Sequence, residues 1–227
     1  MSFKEFTKEL SGKRVEGEIV KTMFVSLVVS LVTLVVMYYL ALKNVEGFVP
    51  QYGFWIFFSV LSYAIVMPAV RQVRAFKKFS CMTGMMIGMT IGMMIGFLIG
   101  FYTGATNGMF YGGFFGTAVG IIFGIKNGKC CGVMGVMEGM MAGFMGGLMG
   151  AMTAVMMFND NLKIAGVLVF LICGAILFGL NYMIYVETKR EERLHWEGQF
   201  YTAVWSFILT VVTTWLMVFG PRSLILQ

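Results

Sequence analysis

The sequence predicts an all-α protein, a polytopic transmembrane helical bundle of about seven spans with a glycine-zipper-like core formed by spans 3–5. Three observations predict it. The 227 residues are 59% hydrophobic and only 12% charged, about half the charged fraction of an ordinary soluble domain. The apolar residues come in long runs, and about 20 of them in a helix cross the roughly 30 Å hydrocarbon layer. The middle third repeats glycine at every fourth position. Only helices and closed barrels satisfy their backbone in lipid, and no run shows the roughly ten-residue alternation of a barrel strand.

The elements follow in order. Residues 1–18 set Phe3, Phe6 and Leu10 among Lys4, Glu5, Lys8, Glu9, Lys13 and Arg14, the spacing of a short amphipathic helix on the cytoplasmic membrane surface. These charges, followed by an apolar run too long for a signal-peptide core, argue against a signal peptide. Residues 19–80 hold spans 1 and 2 (19–42 and 53–70) and a basic loop, with Pro68 marking a kink or a termination. Residues 81–158 hold the Gly/Met-rich core, with spans at 81–104, 107–126 and 131–158. Residues 159–227 hold spans 6 and 7 (162–186 and 200–219), joined by the charged connection 187–199. His195 lies in that connection beside Trp196, a place for interfacial packing.

Charge placement orients the bundle. Lys4, Lys8, Lys13, Arg14, Lys21, Arg71, Arg74, Lys77, Lys78, Lys126, Lys129, Lys189, Arg190 and Arg193 fall on one side of seven alternating spans. Only Lys43, Lys163 and Arg222 fall on the other. The positive-inside rule makes the first side cytoplasmic. The expected location is therefore a cytoplasmic-type membrane, N-terminus inside and C-terminus opposite. The net charge of +6 then answers to anionic lipid headgroups rather than nucleic acid.

Glycine recurs without a miss from Gly84, Gly88, Gly92, Gly96 and Gly100 through 132, and continues less regularly through Gly139, Gly143 and Gly147. In a membrane such small residues let helix backbones approach closely. A four-residue period advances about 40° per repeat on a 3.6-residue helix, so each span can meet more than one neighbour. A homo-oligomer or a subunit of a membrane complex is the expected assembly.

Sixteen of the 22 methionines lie between 82 and 157. Met85, Met89 and Met93 form a column on span 3; Met137, Met141, Met145 and Met149 form another on span 5. Span 4 has only Met109, near its start. Methionine is an adaptable filler, and its thioether is also a soft ligand that selects Cu(I); both uses fit the pattern. Cys81 begins span 3 and Cys130–Cys131 begins span 5, at the same boundary, either as a thiol acceptor for Cu(I) or as an inert boundary feature. Glu138, the one carboxylate inside a predicted span, is an ion or proton site, or pairs with Lys126, Lys129 or polar groups of neighbouring helices. Cys173 lies within span 6, and the four cysteines form no secreted disulfide framework.

The runs GMMIGMTIGMMIGFLIG (84–100) and MEGMMAGFMGGLMGAMTAVMM (137–157) resemble a Met/Gly-rich membrane module of bacterial proteins associated with copper-binding cupredoxin domains. The pairing of MxxxM with GxxxG is also similar in chemistry to the trimeric copper-uptake transporters. The resemblance implies copper handling, with Cu(I) as the cofactor or cargo. Three function classes are carried forward: a soft-metal transporter or membrane metal-binding protein, a proton- or cation-conducting subunit using Glu138, and a non-catalytic assembly subunit. An enzyme is not expected, since there is no nucleophile–base set, no His cluster and no phosphate loop with its GK[ST] lysine.

Overall fold

The computed structural model describes residues 17–43, 48–76, 79–188 and 199–221. The amphipathic segment before residue 17, the His195–Trp196 pair and the basic residues Lys77, Lys78, Lys189, Arg190, Arg193 and Arg222 lie outside the described residues. Among the described residues seven α-helices make up the bundle: α1 (Gly17–Met37), α2 (Phe48–Ala75), α3 (Cys81–Asn107), α4 (Met109–Gly128), α5 (Gly132–Met156), α6 (Leu162–Thr188) and α7 (Gln199–Phe219). A π-helical turn, Tyr38–Leu42, continues α1.

By continuity the described residues hold six helical stretches long and apolar enough to cross a membrane, the longest being Met109–Met156. That stretch is a hairpin. A 3₁₀ turn, Lys129–Cys131, and Gly132 at φ 68° reverse the chain between α4 and α5. Gly108 at φ 99° does the same between α3 and α4. Both positions lie in the left-handed region that glycine enters without steric cost. At 20 residues α4 is about 30 Å long, one hydrocarbon thickness.

Helices α3, α4 and α5 pack chiefly through glycine. A Cβ built on Gly92 would stand 2.9 Å from the Gly139 carbonyl oxygen and 3.1 Å from the Gly124 Cα. On Gly96 it would stand 2.9 Å from the Gly143 oxygen and 3.4 Å from the Gly116 oxygen. Gly88 meets Gly128 and Gly135, and Gly104 meets Ala151. Successive layers thus bring one glycine from each helix to a common axis, with α3 and α5 parallel and α4 antiparallel to both. At Gly88, Gly92 and Gly96 nothing larger fits, because the obstructing atoms are backbone. The compensation is close backbone contact along three helices at once.

Helices α2, α6 and α7 pack around α3, and α1 packs on α2 and α7. On α3, Ile87, Ile91, Ile95 and Ile99 are fully buried in the core shared with Tyr63, Val66, Leu177 and Leu209 of α2, α6 and α7. Pro68 does not end α2, which continues through it to Ala75; neighbouring helices can support a proline-interrupted ladder inside a membrane bundle. Ser80 caps α3 by accepting from the Thr83 N–H at 3.3 Å, and the Glu187 carboxylate accepts from the Ser80 N–H at 2.9 Å. Anionic groups favour that position at a helix N-terminus. At the far end Asn107 Nδ2 donates to the Leu216 carbonyl at 2.8 Å, pinning α3 to α7. Arg71, Arg74, Lys126 and Lys129 gather at one end, termed here the basic end.

Candidate functional site

Helix α5 buries only glycine and alanine: Gly135, Gly139, Ala142, Gly143, Gly146, Gly147, Gly150, Ala151 and Ala154. Its large side chains all turn outward. Met137, Met141, Met145 and Met149 are 47–66% exposed, and Met134, Met140, Met152 and Met156 share the outer surface. On α3, Met89 is exposed while Met85 and Met93 are half-buried. The thioethers therefore do not fill the glycine core. They cover it.

The two columns lie on adjoining strips of that cover. Gly146 packs on the Met93 backbone and Gly150 on the Phe97 backbone. The same parallel register sets Met89 level with Ala142 and Met85 level with Glu138. Both columns open outward from the α3–α5 seam.

At the basic end the Cys130 and Cys131 sulfurs stand 3.9 Å apart. Both lie over Gly84, where a Cβ would sit 2.8 Å from the Cys130 sulfur and closer still to that of Cys131. The missing side chain of Gly84 is the notch that seats the pair. Cys131 Sγ also reaches the Ser80 carbonyl at 3.6 Å. Burial and the adjacent Cys131 thiol push the Cys130 thiol up to about 11, so a metal bound there must displace its proton. Cys81 is exposed and Cys173 buried, both as free thiols. Among the described residues no three of His, Cys, Asp and Glu converge as a metal cluster. A soft site here must recruit thioethers.

Glu138 is half-buried and makes no ion pair or hydrogen bond among the described residues. Lys126, one of its expected partners, instead lies 3.9 Å above the Trp205 ring. Its neighbours on α5 are the methionines.

A second polar system had no counterpart in the expectations. Among the described residues the buried side chains of α1 are Thr22, Ser26, Ser30 and Thr33. Helix α7 answers with Thr202, Ser206, Thr210, Thr213 and Thr214. Ser26 and Ser206 share a hydrogen bond of 2.7 Å. At the basic end of this seam Arg71, counted above as a loop residue, lies inside α2 and is 8% exposed. It binds Glu18 and donates to the Thr22 hydroxyl, each at 2.7 Å. The signal was present as hydroxyls four apart at 22, 26 and 30 and at 202, 206, 210 and 214. No family model matches the chain, and no curated protein or solved structure matches it either.

Proposed function

We propose that this membrane-spanning bundle binds Cu(I) on its thioether face and passes it to or from the Cys130–Cys131 pair at the basic end. One observation carries the reading. Helices α1 and α6 expose Val20, Phe24, Leu31, Val32, Leu168, Leu171 and Ile172, ordinary lipid-facing residues. In the same molecule α5 exposes a column of methionines. Lipid contact alone explains the first surface and not the second. Packing inside the chain does not explain it either, since the methionines lie outside the glycine core. Thioethers at i, i+4 spacing on one face offer a soft monovalent ion successive ligands about a turn apart. In this reading the basic end is cytoplasmic, following the Lys/Arg bias.

The exposure of the face favours one further reading, an assembly surface on which adaptable methionines pack against another subunit. One experiment separates the two. The detergent-purified protein is loaded with Cu(I) under reducing conditions, and bound copper and oligomeric mass are measured for wild type and for a variant with Met85, Met89, Met141 and Met145 all changed to Leu. The copper reading expects at least one ion per chain in the wild type and its loss in the variant. Equal copper binding by both proteins refutes it. A change in mass with no copper in either supports the assembly reading.

A further inference from the structure

Helices α1 and α6 scarcely touch, and between them, floored by α2, lies a groove of ≈ 410 Å³. Its walls are apolar: Ile19 and Met23 of α1, Ile65 and Pro68 of α2, Phe170 and Gly174 of α6. The exception is Asn181, near the basic end, which lines the groove while only 5% exposed. Its Oδ1 has no hydrogen-bond partner. Beside it, Gln72 donates through Nε2 to the Asn181 backbone carbonyl at 3.4 Å, and Gln72 Oε1 is likewise buried without a partner.

An unpaired amide oxygen in a membrane interior costs more than one facing water, and that of Asn181 at one end of an apolar groove marks a place for a donor. A largely apolar cavity of this size with a few convergent polar groups is the usual form of a small-molecule site. From Asn181 to Phe170 the groove follows about 16 Å of α6, at 1.5 Å per residue. The polar end stands at the depth of the Arg71–Glu18 pair, and the exposed Lys21 lies nearby on α1.

The geometry points to a lipid site: the groove holds the acyl chain of an anionic phospholipid with a hydroxylated headgroup, of the phosphatidylglycerol class, drawn from the leaflet at the basic end. A headgroup hydroxyl donates to Asn181, and the phosphate faces the basic residues of that end. A zwitterionic choline lipid offers the same chain without the hydroxyls or the net charge. The site is independent of the thioether face.

Gly174 gives a clean way to close it, since a Cβ there would meet only the Ile65 Cδ1, at 3.7 Å. Gly174→Leu fills the groove from a Cβ that stands clear of every neighbouring backbone. Asn181→Leu keeps the groove and removes the amide. The full-length protein is delipidated in detergent, incubated with dioleoylphosphatidylglycerol or dioleoylphosphatidylcholine, and retained lipid is measured by native mass spectrometry.

Wild type is expected to retain one phosphatidylglycerol roughly tenfold more strongly than phosphatidylcholine. Asn181→Leu should remove that preference and Gly174→Leu should lower retention of both lipids. Equal retention of the two lipids by wild type overturns the proposal, as does an unchanged preference in Asn181→Leu. Retention unaffected by Gly174→Leu also overturns it, as does a fall in oligomeric mass on that substitution without a change in bound lipid, which would make the groove a contact between copies.

Discussion

Two regions of this bundle solve the same packing problem with different small residues. In α3, α4 and α5 glycine recurs every four residues and backbone meets backbone. In α1 and α7 the four-residue interval is kept, but by serine and threonine. Glycine brings the axes closer and offers no side chain of its own for a hydrogen bond. Hydroxyls hold the helices further apart and supply hydrogen bonds, to the facing helix at Ser26–Ser206 or back to their own helix, as Thr33 to Val29 and Thr210 to Ser206, each at 2.7 Å. The glycine region is a rigid wedge and the hydroxyl region a polar seam that also accommodates a buried ion pair.

The sharpest way to break the comparison is to give the wedge a side chain. Gly92→Leu must displace the Gly139 and Gly124 backbones, at 2.9 and 3.1 Å from the new Cβ. Overpacking ordinary cores costs about 1–3 kcal/mol; here no flexible side chain is available to yield, so the expected result is loss of the folded monodisperse protein. Size-exclusion profile and thermal stability in detergent are the measurements. A Gly92→Leu protein that remains monodisperse with an unchanged melting temperature would show that the three helices do not depend on glycine contact.

The next largest effect belongs to the seam's charged end. Arg71→Met leaves Glu18 partly buried with no guanidinium, and breaking a buried pair costs about 3–5 kcal/mol; Glu18 is 25% exposed, so the lower part of that range applies. The double change Glu18→Gln with Arg71→Met should recover most of the loss in the same melting assay. Failure of the second change to rescue would assign Arg71 a role beyond the pair.

How much of each region was legible follows from the same contrast. Glycine is costly in a helix, so a run of it at constant spacing needs an explanation, and close helix approach supplies one. That reading reached the right three helices because the period continues through the turns at Gly108 and Gly132. It did not reveal which way the methionines face. Their columns in α5 follow from the glycine layers, since a helix with glycine on its inner face must place its bulk outside. The hydroxyl seam was harder to see. Its serines and threonines are diluted among valine and leucine, and a hydropathy run registers them as weak interruptions. Arg71 read as a loop charge because apolar patterning ends at about residue 70, whereas α2 continues to Ala75 and Glu18 lets the guanidinium stay inside. The lipid-facing groove has no sequence signature at all, since α6, which closes it, lies far along the chain from α1 and α2.

The smallest effects measure the seam itself. Ser26→Ala and Ser206→Ala remove the two ends of one 2.7 Å hydrogen bond, and membrane helix–helix bonds of this kind average about 0.6 kcal/mol in double-mutant cycles. Each single change should lower stability slightly, and the cycle should return a coupling of that order. The lipid-facing Gly179 makes a fit control because a Cβ there would meet nothing within 4 Å; Gly179→Ala should be neutral or stabilising by up to roughly 1 kcal/mol. A coupling near zero would mean that α1 and α7 are held by shape, as α3, α4 and α5 are. The two regions would then differ only in the size of the residue that repeats.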